Sequence, residues 1–216
     1  VNHLAPSSAT VTPDPLAVRY EIVLRDCRLN GYGLLIIAAA DAPAVKEFAS
    51  RYLIDYEENK SVAKFMHFNV PADSKSLSDD DRRFLAEQGW SAPPANGIWA
   101  IACDPHGAPL GRLELNSIDA DAELQIKEFV DWHAPPADDA QEKWRAAFEL
   151  AKQTDRRVWA RMGGRYCGPC HRLSRWIEDH QAAIEKDYVL LKIDDFQDVH
   201  GREIAQLLTH GKNHGV

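Results

Sequence analysis

The stretch Arg157-Val-Trp-Ala-Arg-Met-Gly-Gly-Arg-Tyr-Cys-Gly-Pro-Cys-His171 decides how this chain is read. Arg157–Met162 has the length and composition of a short strand, and Gly163-Gly164 turns the chain out of it. Cys167 and Cys170 follow, separated only by Gly168 and Pro169, and Cys170–Lys186 continues as an amphipathic helix. Its inner face is expected to be Leu173, Trp176, Ile177 and Ile184. Thiol–disulfide exchange requires a thiolate attacker, a second thiol close enough to resolve the mixed disulfide, and a tight turn between them. Cys167 falls at a helix N-terminus, where free N–H groups and the helix dipole favour a thiolate. Cys170 lies one turn further in and is expected to be the more shielded. Cys167 is thus the expected nucleophile, Cys170 the resolving thiol, and Pro169 the restraint on the turn.

Two other readings of the pair stay open at this point, half of a zinc site and an inert structural disulfide. Zinc needs two further ligands at matching spacing. The candidates are His171, His180, His200, His210 and His214, which form no second paired motif. No metal and no cofactor is expected.

Working outward, 216 residues are enough for one large domain or two small ones. A net charge of −8 speaks against nucleic acid as a partner, since phosphate binding needs a basic surface. No apolar run approaches the roughly 20 residues of a membrane span; the best, Leu34–Ala40, has the length of a core strand. Four cysteines are too few to build a disulfide scaffold. Residues 1–16, rich in Pro, Ser and Thr, read as a flexible leader, and the chain opens on Val1 rather than Met. On that ground an extracytoplasmic location, periplasmic or secreted, is expected, with the cytoplasm as alternative.

Residues 134–141, with Pro135 and Pro136, read as a linker. It separates residues 17–133 from residues 142–216. Both parts show a helical pattern followed by a strand, and one offset of 124 residues superimposes them. Tyr20 falls on Trp144, Leu24 on Phe148 and Leu34 on Val158. Ala49, Tyr52 and Leu53 fall on Leu173, Trp176 and Ile177, and the strand Lys64–Val70 falls on Tyr188–Asp194. The match is of pattern rather than letters, and it predicts a tandem repeat.

Arg156–Asp195 resembles the thioredoxin superfamily: a strand, Tyr-Cys-Gly-Pro-Cys-His, an amphipathic helix, and the apolar strand Tyr188–Asp194. The leading helix Glu142–Lys152 is similar to the family's first helix. The resemblance implies an α/β fold, with a central sheet flanked by helices and the dithiol at a strand-to-helix junction. With the repeat, it implies tandem thioredoxin-like domains. Tyr166 stands in place of the family's usual tryptophan, and His171 in place of a lysine. His171 is expected either to tune the thiolate or to be a solvated surface residue. Arg161 stands where close relatives carry a buried carboxylate that assists proton transfer, and an arginine cannot accept that proton. Arg161, Arg165, His171 and Arg172 together are expected to favour thiolate and a more oxidising centre.

The offset places Pro43 and Lys46 where the cysteines would be, so the first part is expected to be a degenerate thioredoxin-like domain, a candidate protein-binding module. Gly89-Trp90-Ser91-Ala92-Pro93-Pro94, followed by Ile98–Cys103, Asp104-Pro105-His106-Gly107 and Leu110–Leu115, resembles the family's closing hairpin, in which a cis-proline normally introduces the third strand. Pro93 would fall one residue past Val216, so the second domain is expected to lack its cis-proline and last strands, unless the first domain donates them. Cys27 and Cys103 read as buried free thiols, with a disulfide or relay as the sharper alternative. Asp79-Asp80-Asp81-Arg82-Arg83 reads as a solvated helix start, and Asp194-Asp195, the histidines after His200 and Trp132-His133 as surface or loop. The expected function is a thiol–disulfide oxidoreductase acting on protein or small-molecule disulfides and dithiols. The alternative is a non-catalytic scaffold of thioredoxin-like modules.

Overall fold

Leu34–Ala40 offers no polar side chain to water, so a strand built from it must be covered on both faces. The computed structural model, which describes residues 14–55, 60–73 and 77–209, places it so. Residues 1–13 of the expected leader, together with His210, His214 and Val216, lie outside the described residues.

The first unit runs α1 (Leu16–Asn30), β1 (Gly33–Ala39), α2 (Pro43–Leu53), a 3-10 turn (Lys60–Lys64), β2 (Phe65–Asn69), α3 (Asp79–Glu87), β3 (Ile98–Cys103), β4 (Pro109–Leu115) and α4 (Ala122–His133). Its sheet has the order β2-β1-β3-β4. β1 pairs parallel to β2, from Gly33↔Phe65 to Ile37↔Asn69, and antiparallel to β3, from Leu34↔Cys103 to Ala39↔Ile98. Because strand side chains alternate, Leu34, Ile36 and Ala38 pack under α1 and α3 with Tyr20, Leu24, Phe68 and Trp99. Leu35 and Ile37 pack on the other face with Val45, Ala49, Leu53, Ile126 and Val130 of α2 and α4. α1 stops at Gly31, whose φ of 73° lets its N–H return to the Cys27 carbonyl at 2.8 Å. α3 starts on Ser78, whose hydroxyl accepts from the Asp81 N–H, and its three aspartates lie in the first turn.

The second unit runs α5 (Ala140–Thr154), β5 (Arg157–Gly163), α6 (Gly168–Asp179), α7 (Gln181–Ile184), β6 (Tyr188–Asp194) and α8 (Gly201–Leu208). β5 and β6 form a two-stranded parallel sheet in the register Arg157↔Tyr188 to Gly163↔Asp194. Val189, Leu191 and Ile193 face α5 and α8, packing on Ala147, Ala151 and Ile204. On the opposite face, Arg161 of β5 reaches Ser174 of α6 and Lys192 of β6 reaches the Asn30 carbonyl at the end of α1.

Several expectations need correction. Cys170–Lys186 is two helices rather than one, broken at His180. The inner face of α6 is His171, Ser174 and Ile177; Leu173 and Trp176 are 38% and 47% exposed, and Phe148 of α5 is 46% exposed. The buried stripe of α6 has turned toward α1, which offers polar partners. The offset of 124 holds between β1 and β5, but register sets β2 against β6 at 123, since Gly33 pairs with Phe65 and Arg157 with Tyr188. One residue matters, because it exchanges the two faces of a strand. β3 and β4 stay in the first sheet, so the first unit donates no strand to the second. Pro93 and Pro94 precede β3 in trans, as every described peptide bond is.

Candidate functional site

β5 delivers the chain to Gly163, and the dithiol sits where the chain leaves the sheet and enters α6. Cys167 is the N-cap of α6; its sulfur accepts from the Cys170 backbone N–H at 3.3 Å, satisfying a helix-end donor that would otherwise lack a partner. Pro169 lies in the first turn, where a missing N–H costs nothing. The two cysteines form a disulfide with Cα atoms 5.1 Å apart. Both cysteines are partly buried. Gly163 makes room for the pair: a Cβ there would stand 2.9 Å from Cys170 Sγ. Gly168 is exposed, beside the Arg172 guanidinium.

The residues around the motif divide into those that stay with it and those taken up by the first unit. Arg165 is buried. Its guanidinium donates to the carbonyls of Val62 and, at 2.9 Å, Ile54, and it lies 4.3 Å from the centre of the Tyr166 ring. The Tyr166 hydroxyl reaches the same Ile54 carbonyl at 3.2 Å, while its ring remains 60% exposed. Arg165 also approaches His67, whose imidazole burial and the Arg165 charge hold well below its ordinary pKa.

His171 is buried rather than solvated. Its Nε2 lies 2.7 Å from the Arg165 carbonyl, so that nitrogen carries the proton; Nδ1 faces the Asn30 amide at 3.4 Å. Arg161 donates from Nη1 to Ser174 Oγ at 2.5 Å. The Ser174 hydroxyl lies 2.9 Å from the Cys170 carbonyl and 3.0 Å from Asn30 Oδ1. Of the four groups expected to supply positive charge, Arg165 is engaged by the first unit and His171 by the Arg165 carbonyl and Asn30. Arg161 and Arg172 stay close to the motif.

Sequence reasoning missed the part played by the first unit. Arg25 pairs with Glu178 at 2.6 Å and Asp179 at 2.5 Å. Arg175 Nη1 donates to both oxygens of the buried Asp26, at 2.8 and 2.7 Å. The Tyr32 hydroxyl donates to Asp194 Oδ2 at 2.5 Å, and the Lys192 ammonium to the Asn30 carbonyl at 2.6 Å. Asp194, expected at the surface, is 2% exposed; its other oxygen receives the N–H groups of Phe196 and Gln197.

Cys27 and Cys103 are free and buried. Burial pushes the Cys27 thiol up to about 12 and the Cys103 thiol up to about 11, so both stay protonated and are poor nucleophiles near neutral pH. Among the described residues no group of three His, Cys, Asp or Glu side chains is arranged to hold a metal ion, and no helix is long and apolar enough to cross a membrane. A cleft of about 510 Å³ opens beside Tyr166, lined by Lys60, Asp195, Phe196, Arg202 and Glu203.

In the second unit the helix that follows β5, the first strand of a parallel pair, is thus capped by one cysteine of a Cys-Gly-Pro-Cys pair. Residues 139–215 match the family model described as thioredoxin-like, and this C-terminal part of the chain is a thioredoxin-like domain. The chain matches no curated protein.

Proposed function

We propose that the chain is a thiol–disulfide oxidoreductase in which Cys167 attacks a substrate disulfide and Cys170 resolves the mixed disulfide. The observation that carries this reading is the placement of Cys167 Sγ at the N-cap of α6, within 3.3 Å of the Cys170 N–H. A thiolate there is stabilised by a backbone donor and by the positive end of the helix. In the forward direction the Cys167 thiolate forms a bond to one substrate sulfur and the other leaves as a thiolate. Cys170 then loses its proton and attacks Cys167 Sγ, so the pair ends as a disulfide and the substrate as a dithiol. Substrates are disulfides or dithiols, protein or small-molecule.

We further read the first unit as a thioredoxin-like module without redox chemistry. Supporting this, β1 and β5 begin 124 residues apart, and each lies parallel to the next strand of its own sheet. α2 begins with Pro43, as α6 carries Pro169 in its first turn.

Cys167→Ser is expected to lower disulfide reduction in an insulin precipitation assay to the uncatalysed rate. Activity equal to wild type in that variant sinks the oxidoreductase reading and leaves the scaffold reading standing.

A further inference from the structure

Residues that are register partners in a parallel pair place their side chains side by side on one face of the sheet. Arg161 and Lys192 are such partners, so two cations stand together on the face covered by α6. Each is held by a neutral oxygen. Arg161 donates to Ser174 Oγ, and Lys192 to the Asn30 carbonyl, with its ammonium 4.8 Å from the centre of the Tyr32 ring. Neither belongs to an ion pair among the described residues.

The carboxylates nearby are already engaged. Asp26 is paired with Arg175, and Asp198 with Lys143 at 2.9 Å. Asp194 receives the Tyr32 hydroxyl and two backbone N–H groups. Burial pushes the Lys192 ammonium down to about 8, with Asp194 opposing the shift and Arg161 adding to it. Desolvated cations without an ionic partner are costly, and an anion arriving near them would be stabilised.

The dithiol is close to this face. Ser174, which receives Arg161, reaches the Cys170 carbonyl one turn earlier on α6. Gly163, two residues after Arg161 and on the same face of β5, faces Cys170: a Cβ there would stand 2.9 Å from Cys170 Sγ.

We propose that Arg161 and Lys192 together are electrostatic positioning residues for the dithiol, stabilising the thiolate that forms when the Cys167–Cys170 disulfide is reduced. They act through their field, not by contact with the substrate, and the role rests on the oxidoreductase reading above. Reduction by glutathione breaks the protein S–S bond and forms the S–S bond of glutathione disulfide, passing two electrons to the protein sulfurs. Two protons leave the glutathione thiols. One stays on a protein thiol, and the other goes to solvent when the second protein sulfur remains a thiolate.

The test equilibrates the full chain in buffers of reduced and oxidised glutathione and reads the reduced fraction by alkylation and mass. Arg161→Met and Lys192→Met are each expected to lower the equilibrium constant for reduction by roughly threefold to tenfold, a tenfold change being about 30 mV. Arg161→Lys and Lys192→Arg, which keep the charge, are expected to stay near wild type. The proposal is overturned if folded Met variants, checked by far-UV circular dichroism, keep the wild-type constant, or if the charge-keeping variants shift as far as the Met variants. Should Arg161→Met fail to fold, Lys192→Met with Lys192→Arg decides alone. A wild-type dithiol that does not exchange with glutathione overturns the oxidoreductase reading as well. One that exchanges with a constant indifferent to both residues overturns this proposal only.

Discussion

α2 and α6 each follow the first strand of a parallel pair, and each has a proline in its first turn. They differ in what covers them. α2 buries Val45, Ala49, Tyr52 and Leu53, with α4 packed beside it and the Tyr52 hydroxyl on Glu123 at 2.8 Å. α6 buries His171, Ser174 and Ile177, two of them polar, and leaves Leu173 and Trp176 in water. No counterpart of α4 lies over it among the described residues; α1 of the first unit lies there instead, making ion pairs and hydrogen bonds. One helix is held by apolar burial within its own unit. The other, which carries the dithiol, is held largely by polar contacts made across units.

The sharpest way to break this comparison is to truncate the aromatic residue at the same place on each helix. Tyr52→Ala is expected to cost about 3 kcal/mol or more in urea denaturation, as for a well-packed aromatic. Trp176→Ala is expected to cost about 1 kcal/mol or less, since its ring is half exposed. Equal losses would mean that α6 is covered after all. A smaller effect probes the polar seam. Arg175→Ala leaves the Asp26 carboxylate buried without its partner and is expected to cost on the order of 2–3 kcal/mol. Asp26→Asn removes the charge itself and leaves the more exposed Arg175 to water, so about 1 kcal/mol is expected. The reverse ranking would show that the ion pair does not hold the seam.

A further effect is one of pH. Lys192 titrates near 8 in the folded chain against an ordinary 10.5. Between those values the unfolded chain binds more protons, so this residue makes stability rise as pH increases from about 8 toward 10.5. Below about 8 its cost to folding is constant. Lys192→Met removes that component, and the stability of wild type relative to Lys192→Met should therefore improve over this window. A flat difference would show that Lys192 is not desolvated.

The dithiol and its strand were legible because they depend on local signals: a turn of two glycines, a Cys-Gly-Pro-Cys tetrapeptide, and apolar alternation in Tyr188–Asp194. The four-stranded order of the first sheet lies beyond such signals, because pairing between distant strands leaves no mark on either alone. The surface alternative for His171 and the surface reading of Asp194 failed for a related reason. A polar residue buried against another segment looks in sequence like one facing water, and their partners, Asn30 and Tyr32, lie more than 140 positions away. Lys192 did leave a sign, a lysine between Leu191 and Ile193 inside the apolar run of the strand. What the sequence could not show is that Arg161 would be its neighbour, since that depends on register.

Much of the contact between the units ends on main-chain oxygen. Arg165 holds the carbonyls of Val62 and Ile54, Lys192 that of Asn30, and Gln197 that of Ala63. Every residue type carries the same carbonyl, so the side-chain identities at positions 54, 62 and 63 do not by themselves set this grip; Val62 and Ile54 answer to the core of the first unit instead. Correlated substitution among relatives would therefore be a poor guide to these carbonyl contacts, unlike the side-chain pairs Arg175–Asp26 and Tyr32–Asp194 of the same seam. The loop leading into the dithiol is anchored to the shape of its neighbour's backbone, and an exchange of the first unit for another would preserve the site only if it brought that backbone path along.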